Sequence, residues 1–185
     1  MCLGAKPKSR WGNAFTAYDG RLCLRQPYEH RDVSISDGKG KSVNVTERLE
    51  MEWELKRLND DYVRYADQQD FDSFLKLFTE DAVLEIGGIE RKGHDAIRGH
   101  FGDREQMVTR HICTNLWYEP VDDNTAEGEI YLTVYRCSGP YTEKDGPIPY
   151  DRPDWIGEYH DKYVRTPDGW KFSERRLSVR FEKVA

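Results

Sequence analysis

Long hydrophobic runs are missing from this chain of 185 residues. No apolar stretch approaches the roughly 18 positions that a helix needs to cross a bilayer, so no membrane span is expected. Cysteine is scarce: Cys2, Cys23, Cys113 and Cys137 are too few and too irregularly spaced for a disulfide framework or a zinc site. They read as reduced thiols of a cytoplasmic protein. A run dense in Lys and Arg and interleaved with aromatics is absent, and the formal net charge is -6 with a pI near 5.4, so no nucleic-acid surface is expected. The first residues, Met1 to Lys8, lack the apolar centre of a signal peptide. Asn44-Val45-Thr46 fits a glycosylation sequon and, without a secretory signal, reads as a chance match. Aliphatic side chains are thin as well, with a hydrophobic fraction of 37% and a mean hydropathy of -0.86. Five Trp, eleven Tyr and seven Phe offset this, because large rings can fill a core.

The composition changes near residue 46. Residues 1–45 scatter Gly, Pro, Ser and charge, which predicts a partly extended N-terminal arm with a linker over Ser36–Ser42. Residues 46–185 then read as one α+β domain. Leu49, Trp53, Leu55, Leu58, Tyr62 and Tyr65 recur at three- and four-residue spacing, predicting a helix capped by Thr46 and ending around Asp67–Gln69. Asp70 or Asp72 would cap a second short helix through Phe78. A strand over Ala82–Ile86, a Gly87-Gly88 turn and a third helix from Gly93 to about Phe101 follow. Four long strands complete the pattern: Thr109–Val121, Thr125–Cys137, Trp155–Arg165 and Gly169–Lys183. The Pro- and Gly-rich stretch Ser138–Asp154 reads as a long loop of the kind that covers a site. About three N-terminal helices before a run of strands predict a cone-shaped, curved antiparallel or mixed sheet with the helices on its concave face and a pocket between them.

Two stretches carry a family resemblance. One is Tyr62-Val63-Arg64-Tyr65-Ala66-Asp67-Gln68-Gln69-Asp70-Phe71 with Leu77-Phe78-Thr79-Glu80-Asp81-Ala82. The other is Gly93-His94-Asp95-Ala96-Ile97 leading to Thr109-Arg110-His111-Ile112-Cys113-Thr114-Asn115. Their order and spacing resemble the SnoaL-like family of the nuclear-transport-factor-2-like superfamily over residues 50–182. The patterns of scytalone dehydratase, bile-acid 7α-dehydratase and hexachlorocyclohexane dehydrochlorinase are similar, and they imply an Asp–His pair at Asp67 and His111. The bile-acid enzyme's tyrosine, five residues before its aspartate, is matched by Tyr62. Where the scytalone enzyme has a second strand histidine this chain has Ile130, so that enzyme's substrate is not implied.

These residue types suit proton abstraction. A neutral imidazole titrates near pH 6.5 and can take a proton, and a carboxylate on its other nitrogen fixes the tautomer. Tyr62 would then hydrogen-bond a developing oxyanion or assist a leaving hydroxyl. Helix geometry sets a question, since five residues rotate Asp67 about 140° away from Tyr62. On the last strand Leu177, Val179 and Phe181 alternate as a covered face that Arg175 shares, and a covered guanidinium requires an acidic partner or an anionic ligand. Tyr159 shares its face with Gly157 and Trp155, either lining the pocket or filling the core. Arg175 and Tyr159 are therefore candidate substrate-binding residues. His94 and His100 are six apart and do not share a helix face, His30 lies in the arm and His160 reads as a surface residue, so no metal site is expected.

The resulting expectation is a cofactor-independent lyase, dehydratase-like, acting on a small cyclic molecule. An isomerase or cyclase of the same fold, and a non-catalytic ligand-binding or dioxygenase small-subunit-like module, stay open as alternatives. A homo-oligomer is expected because sheets of this shape bury their outer face by self-association, and the resemblance implies a trimer before a dimer.

Overall fold

The computed structural model describes residues 34–36, 42–102, 106–139, 141 and 143–184. Most of the expected arm and the centre of the expected linker lie outside the described residues. Within that region β1 (Ser34–Ser36) and β2 (Ser42–Asn44) pair antiparallel as a small separate ribbon.

Helix α1 (Val45–Gln68) starts one residue earlier than its predicted cap. Asn44, not Thr46, is the N-cap: its Oδ1 accepts from the Thr46 backbone N–H at 3.0 Å and from that of Glu47 at 3.5 Å. The sequon asparagine is thus engaged in closing a helix end. The buried stripe of α1 is Met51, Leu55, Leu58, Asn59 and Tyr62. Leu49 and Trp53, expected on that stripe, are 60% and 62% exposed. Each stands two residues, about 200°, from Met51 or Leu55, on the opposite side of the helix. Asp70 caps α2 (Phe71–Leu75) by accepting from the Ser73 N–H at 3.1 Å.

The strands are β3 (Phe78–Ile86), β4 (Ile89–Lys92), β5 (Met107–Pro120), β6 (Thr125–Ser138), β7 (Trp155–Thr166) and β8 (Gly169–Glu182), with α3 (Gly93–Gly102) between β4 and β5. They form one mixed six-stranded sheet in the order β4-β3-β8-β7-β6-β5, parallel between β3 and β8 and antiparallel elsewhere. This is the expected α+β architecture. The sheet is not closed, because four-residue β4 at one edge does not pair with fourteen-residue β5 at the other. Gly87 and Gly88 turn β3 into β4 with φ of 65° and 74°, a conformation glycine adopts at no steric cost.

The core between helices and sheet is aromatic, as the composition requires. Tyr62, Phe74, Phe78 and Phe172 pack with centroids 4.8 to 6.1 Å apart. Leu55, Phe74 and Phe172 are fully buried, each contributing about 1.5–3 kcal/mol of hydrophobic stabilisation. The register shifts between Gly157 and Ile156 on β7, so Val179 faces Gly157 while Phe181 pairs with outward-facing Ile156. Phe181 consequently leaves the face it was expected to share with Leu177 and is 69% exposed. A second irregularity in β5, between Thr114 and Trp117 with Asn115 at φ 51°, returns Leu116 and Tyr118 to the inner side. Among the described residues no helix is long and apolar enough to cross a membrane.

Candidate active site

The end of α1 is fastened to the start of β5. Gln69 closes the helix in the left-handed conformation, and its Nε2 donates to the Met107 carbonyl at 2.7 Å. Asp67, the penultimate helical residue, therefore meets the inner side of β5. Three donors converge on its carboxylate. Thr109 Oγ1 lies at 2.8 Å and His111 Nδ1 at 2.6 Å from Oδ1, and the His111 backbone N–H lies 3.2 Å from Oδ2. Thr109 and His111 are two apart on a strand, so both face the helix. An ionised carboxylate only accepts, which assigns the proton to Nδ1 and leaves Nε2 as an acceptor without a partner among the described residues. The His111 and Asp67 side chains keep 16% and 15% exposure, so the pair is partly buried.

The 140° offset between Tyr62 and Asp67 has a structural answer: the two residues address different strands. Asp67 reaches β5, whereas Tyr62 points to the centre of the sheet, with ring centroids 5.7 Å from Tyr159 and 5.6 Å from Phe172. The structure thus joins Asp67 with His111, and separately joins Tyr62 with Tyr159 and Arg175. Cys113, the next inward residue after His111, senses the charges of Asp67 on one side and of Arg175 and Asp161 on the other. Burial pushes its thiol up to about 11.

Arg175 is fully buried. Of the two partners that a covered guanidinium admits, the structure supplies the acidic one, Asp161, at 2.8 Å from Nε and 2.6 Å from Nη2. Nη2 also donates to Asn59 Oδ1. Asn59 Nδ2 donates to Tyr163 at 3.0 Å and to Tyr118 at 3.2 Å, and the Tyr163 hydroxyl donates to Asp161 at 2.6 Å. Nη1 alone has no hydrogen-bond partner among the described residues. The guanidinium carbon lies 4.1 Å above the Tyr62 ring and 4.0 Å above that of Tyr159. Burial acts to lower the arginine's pKa, and the charge and hydrogen bonds of Asp161 more than reverse it, so the group stays cationic. Burial also raises Tyr62, and raises Tyr159 well above the ordinary tyrosine range, while their hydroxyls share a side-chain hydrogen bond.

Sequence reasoning missed Asn59, Thr109 and Asp161. Strand parity held a signal for two of them, since Thr109 shares the face of His111 and Asp161 that of Tyr159. Among the described residues, His94 and His160 sit outside this cluster. His94 Nε2 lies 3.2 Å from the Phe78 carbonyl oxygen, and half-exposed His160 lies 3.4 Å from Glu158. Two surface depressions lie elsewhere. One of about 560 Å³ separates Trp53 and Arg57 from Trp170, and one of about 280 Å³ lies beside Trp117 and His160. Neither includes Asp67 or His111. Among the described residues no three of His, Cys, Asp and Glu converge as a metal-ligand set.

The order of three helices and six strands, with an Asp–His contact at the helix end, invites comparison with known proteins. A sequence profile of the SnoaL-like domain matches residues 47–176. The chain belongs to the SnoaL-like family. It is 27% identical over 157 residues to the uncharacterized protein Rv2910c of Mycobacterium tuberculosis, covering 77% of this chain and 91% of that protein. Among solved structures it resembles a protein of Novosphingobium aromaticivorans named as a scytalone dehydratase (TM-score 0.62, 21% identity, 75% of this chain and 89% of that one). It also resembles a type 2 hexachlorocyclohexane dehydrochlorinase (TM-score 0.60, 19% identity, 75% and 90%). At these identities the likeness shows the fold alone, an NTF2-like, cystatin-like fold.

Proposed function

We propose that this SnoaL-like protein is a cofactor-independent lyase that removes water, or an equivalent leaving group, from a small cyclic molecule. The observation that carries the reading is the 2.6 Å contact between Asp67 Oδ1 and His111 Nδ1, which leaves His111 Nε2 poised as a base. In the proposed reaction Nε2 takes a proton from a carbon beside a carbonyl. The C–H electron pair becomes the new double bond, and the bond to the neighbouring hydroxyl breaks with its electrons on oxygen. The imidazolium returns the proton to that oxygen, water departs and neutral His111 is restored. Asp67 stabilises the transient imidazolium, and Tyr62 donates a hydrogen bond to the carbonyl oxygen as charge develops there. Tyr159 and Arg175, buried behind it, pack against the Tyr62 ring and hold it in place.

The test is product analysis with a panel of cyclic β-hydroxy ketones. Loss of water, abolished in His111→Ala, supports elimination; a product of unchanged mass makes the protein an isomerase with the same base. Turnover untouched by both His111→Ala and Asp67→Asn would end the proposal.

The outer sheet face exposes Ile112, Trp117, Tyr131 and Ile156, each at least 38% accessible. This supports self-association through that face, and the family resemblance points to a trimer. Sedimentation of wild type against Ile112→Lys reads it out: the wild type is expected as an oligomer that the lysine dissociates, and a monomeric wild type would overturn it.

A further inference from the structure

Arg136 is a half-buried cation whose guanidinium has no carboxylate partner among the described residues. Its position follows from register. Arg136 pairs with Thr109 across β5 and β6, and directly opposed residues point to the same side of a sheet. Thr109 points inward, because its hydroxyl donates to Asp67. Arg136 is therefore on the inner face, two residues beyond Val134, which is the cross-strand partner of His111. A diagonal neighbour of this kind is about 7–8 Å away, within the span of an arginine side chain.

The guanidinium carbon sits 4.3 Å above the Trp155 ring. Carboxylates are present around it, and each is engaged elsewhere. Asp154 accepts the Arg136 backbone N–H at 2.6 Å and the Tyr150 hydroxyl. Glu182 accepts Trp155 Nε1 at 3.2 Å, and Asp67 accepts Thr109 and His111. The indole orients the guanidinium, and among the described residues none takes its hydrogen-bonding fork, the arrangement that suits a planar oxyanion.

We propose that Arg136 is a specificity-determining residue that binds a carboxylate on the substrate, so that the substrate class is a small cyclic carboxylate whose ring lies towards Trp155. This rests on the reading of Asp67 and His111 as the reacting centre and adds the handle that holds a molecule there. The carboxylate does not react; it is a remote group whose binding places the acidic C–H against His111 Nε2.

Benzoate and its neutral isostere benzamide are the probes, titrated calorimetrically at low salt into the full chain. Wild type is expected to favour benzoate by about tenfold to a hundredfold, the range of a hydrogen-bonded ion pair. Arg136→Gln should abolish that preference while leaving benzamide binding unchanged, and Arg136→Lys should keep part of it, because a point charge replaces the fork. Should the glutamine variant fail to fold, the lysine variant decides, and an undiminished preference in it overturns the assignment. Equal binding of the two probes by wild type, no benzoate binding, or a preference that survives Arg136→Gln overturns it as well. His111→Ala separates the two readings: its benzoate preference should persist although its turnover is lost. Retained turnover in His111→Ala strikes at the lyase proposal, and a lost preference in Arg136→Gln still stands for this one.

Discussion

The Asp67 carboxylate holds His111 at two points, with Oδ1 2.6 Å from ring Nδ1 and Oδ2 3.2 Å from the backbone N–H. One contact sets the tautomer and the other sets the height of the strand against the helix, so the imidazole has little freedom to turn. Asp67→Asn keeps the size of the side chain and removes the charge that stabilises an imidazolium. Turnover is expected to fall by about 10²–10⁴-fold in this variant and in His111→Ala, with the melting temperature far less affected. Rates within a factor of two of wild type, measured on a turned-over cyclic hydroxy ketone, would contradict the assigned roles.

Asp161 neutralises a guanidinium that has no access to water. Asp161→Asn leaves that charge buried without its counterion and is expected to destabilise the fold by about 3–5 kcal/mol. Urea unfolding followed by tryptophan fluorescence reads this directly. An unchanged midpoint would mean that water reaches Arg175.

Cys113 makes a pH-dependent contribution whose sign can be worked out. Its thiol is raised by burial from an ordinary 9.0 to about 11, so between these values the unfolded chain has lost a proton that the folded chain keeps. Stability from this group is whole below about pH 9 and is lost as pH rises through the folded value. The two-unit shift corresponds to about 3 kcal/mol. Urea midpoints at about pH 8 and pH 10 should differ in wild type and differ less in Cys113→Ala; parallel behaviour of the two proteins refutes the assignment.

The helix cap at Asn44 gives a smaller effect. Asn44→Ala removes the acceptor for two first-turn N–H groups and should cost about 1 kcal/mol, with Asn44→Ser restoring most of it. Equal stabilities of the alanine and serine variants would remove the cap's significance.

Gly157 permits the close approach of β7 and β8 at the register shift. A Cβ there would stand 2.4 Å from the Ser178 carbonyl oxygen, which is backbone and cannot move aside cheaply. Gly157→Ala is expected to cost about 1–3 kcal/mol, measured by thermal unfolding, as overpacking of a close contact does. A melting temperature equal to wild type would show that the strands can separate at this point.

Much of the fold was legible because its signals are local. Helix spacing, the Gly87-Gly88 turn and the Asp70 cap each act within a few residues, and the strands Trp155–Thr166 and Gly169–Glu182 end within a residue of expectation. What escaped depends on the register between paired strands. That Arg175 meets Asp161 follows from the pairing of β8 with β7, and that Phe181 turns outward follows from a one-residue slip at Gly157. Neither is visible in the parity of a single strand. Trp53 misled for another reason: a bulky ring at helical spacing reads as core, while the stripe that packs begins at Met51. The Asp67–His111 contact was anticipated only through family resemblance, since helix rotation alone turns Asp67 away from Tyr62. The rotation was right, and what local geometry lacked was the second strand for Asp67 to meet.

That divergence makes the last turns of α1 an angular spacer. Each residue between Tyr62 and Asp67 contributes about 100° of rotation, so adding or deleting one would swing the carboxylate off β5 while leaving the tyrosine in its aromatic nest. A substitution at the exposed position Arg64 changes no phase. The segment should therefore drift in sequence but not in length, and a homologue with a one-residue indel there would have to orient its imidazole by some other group.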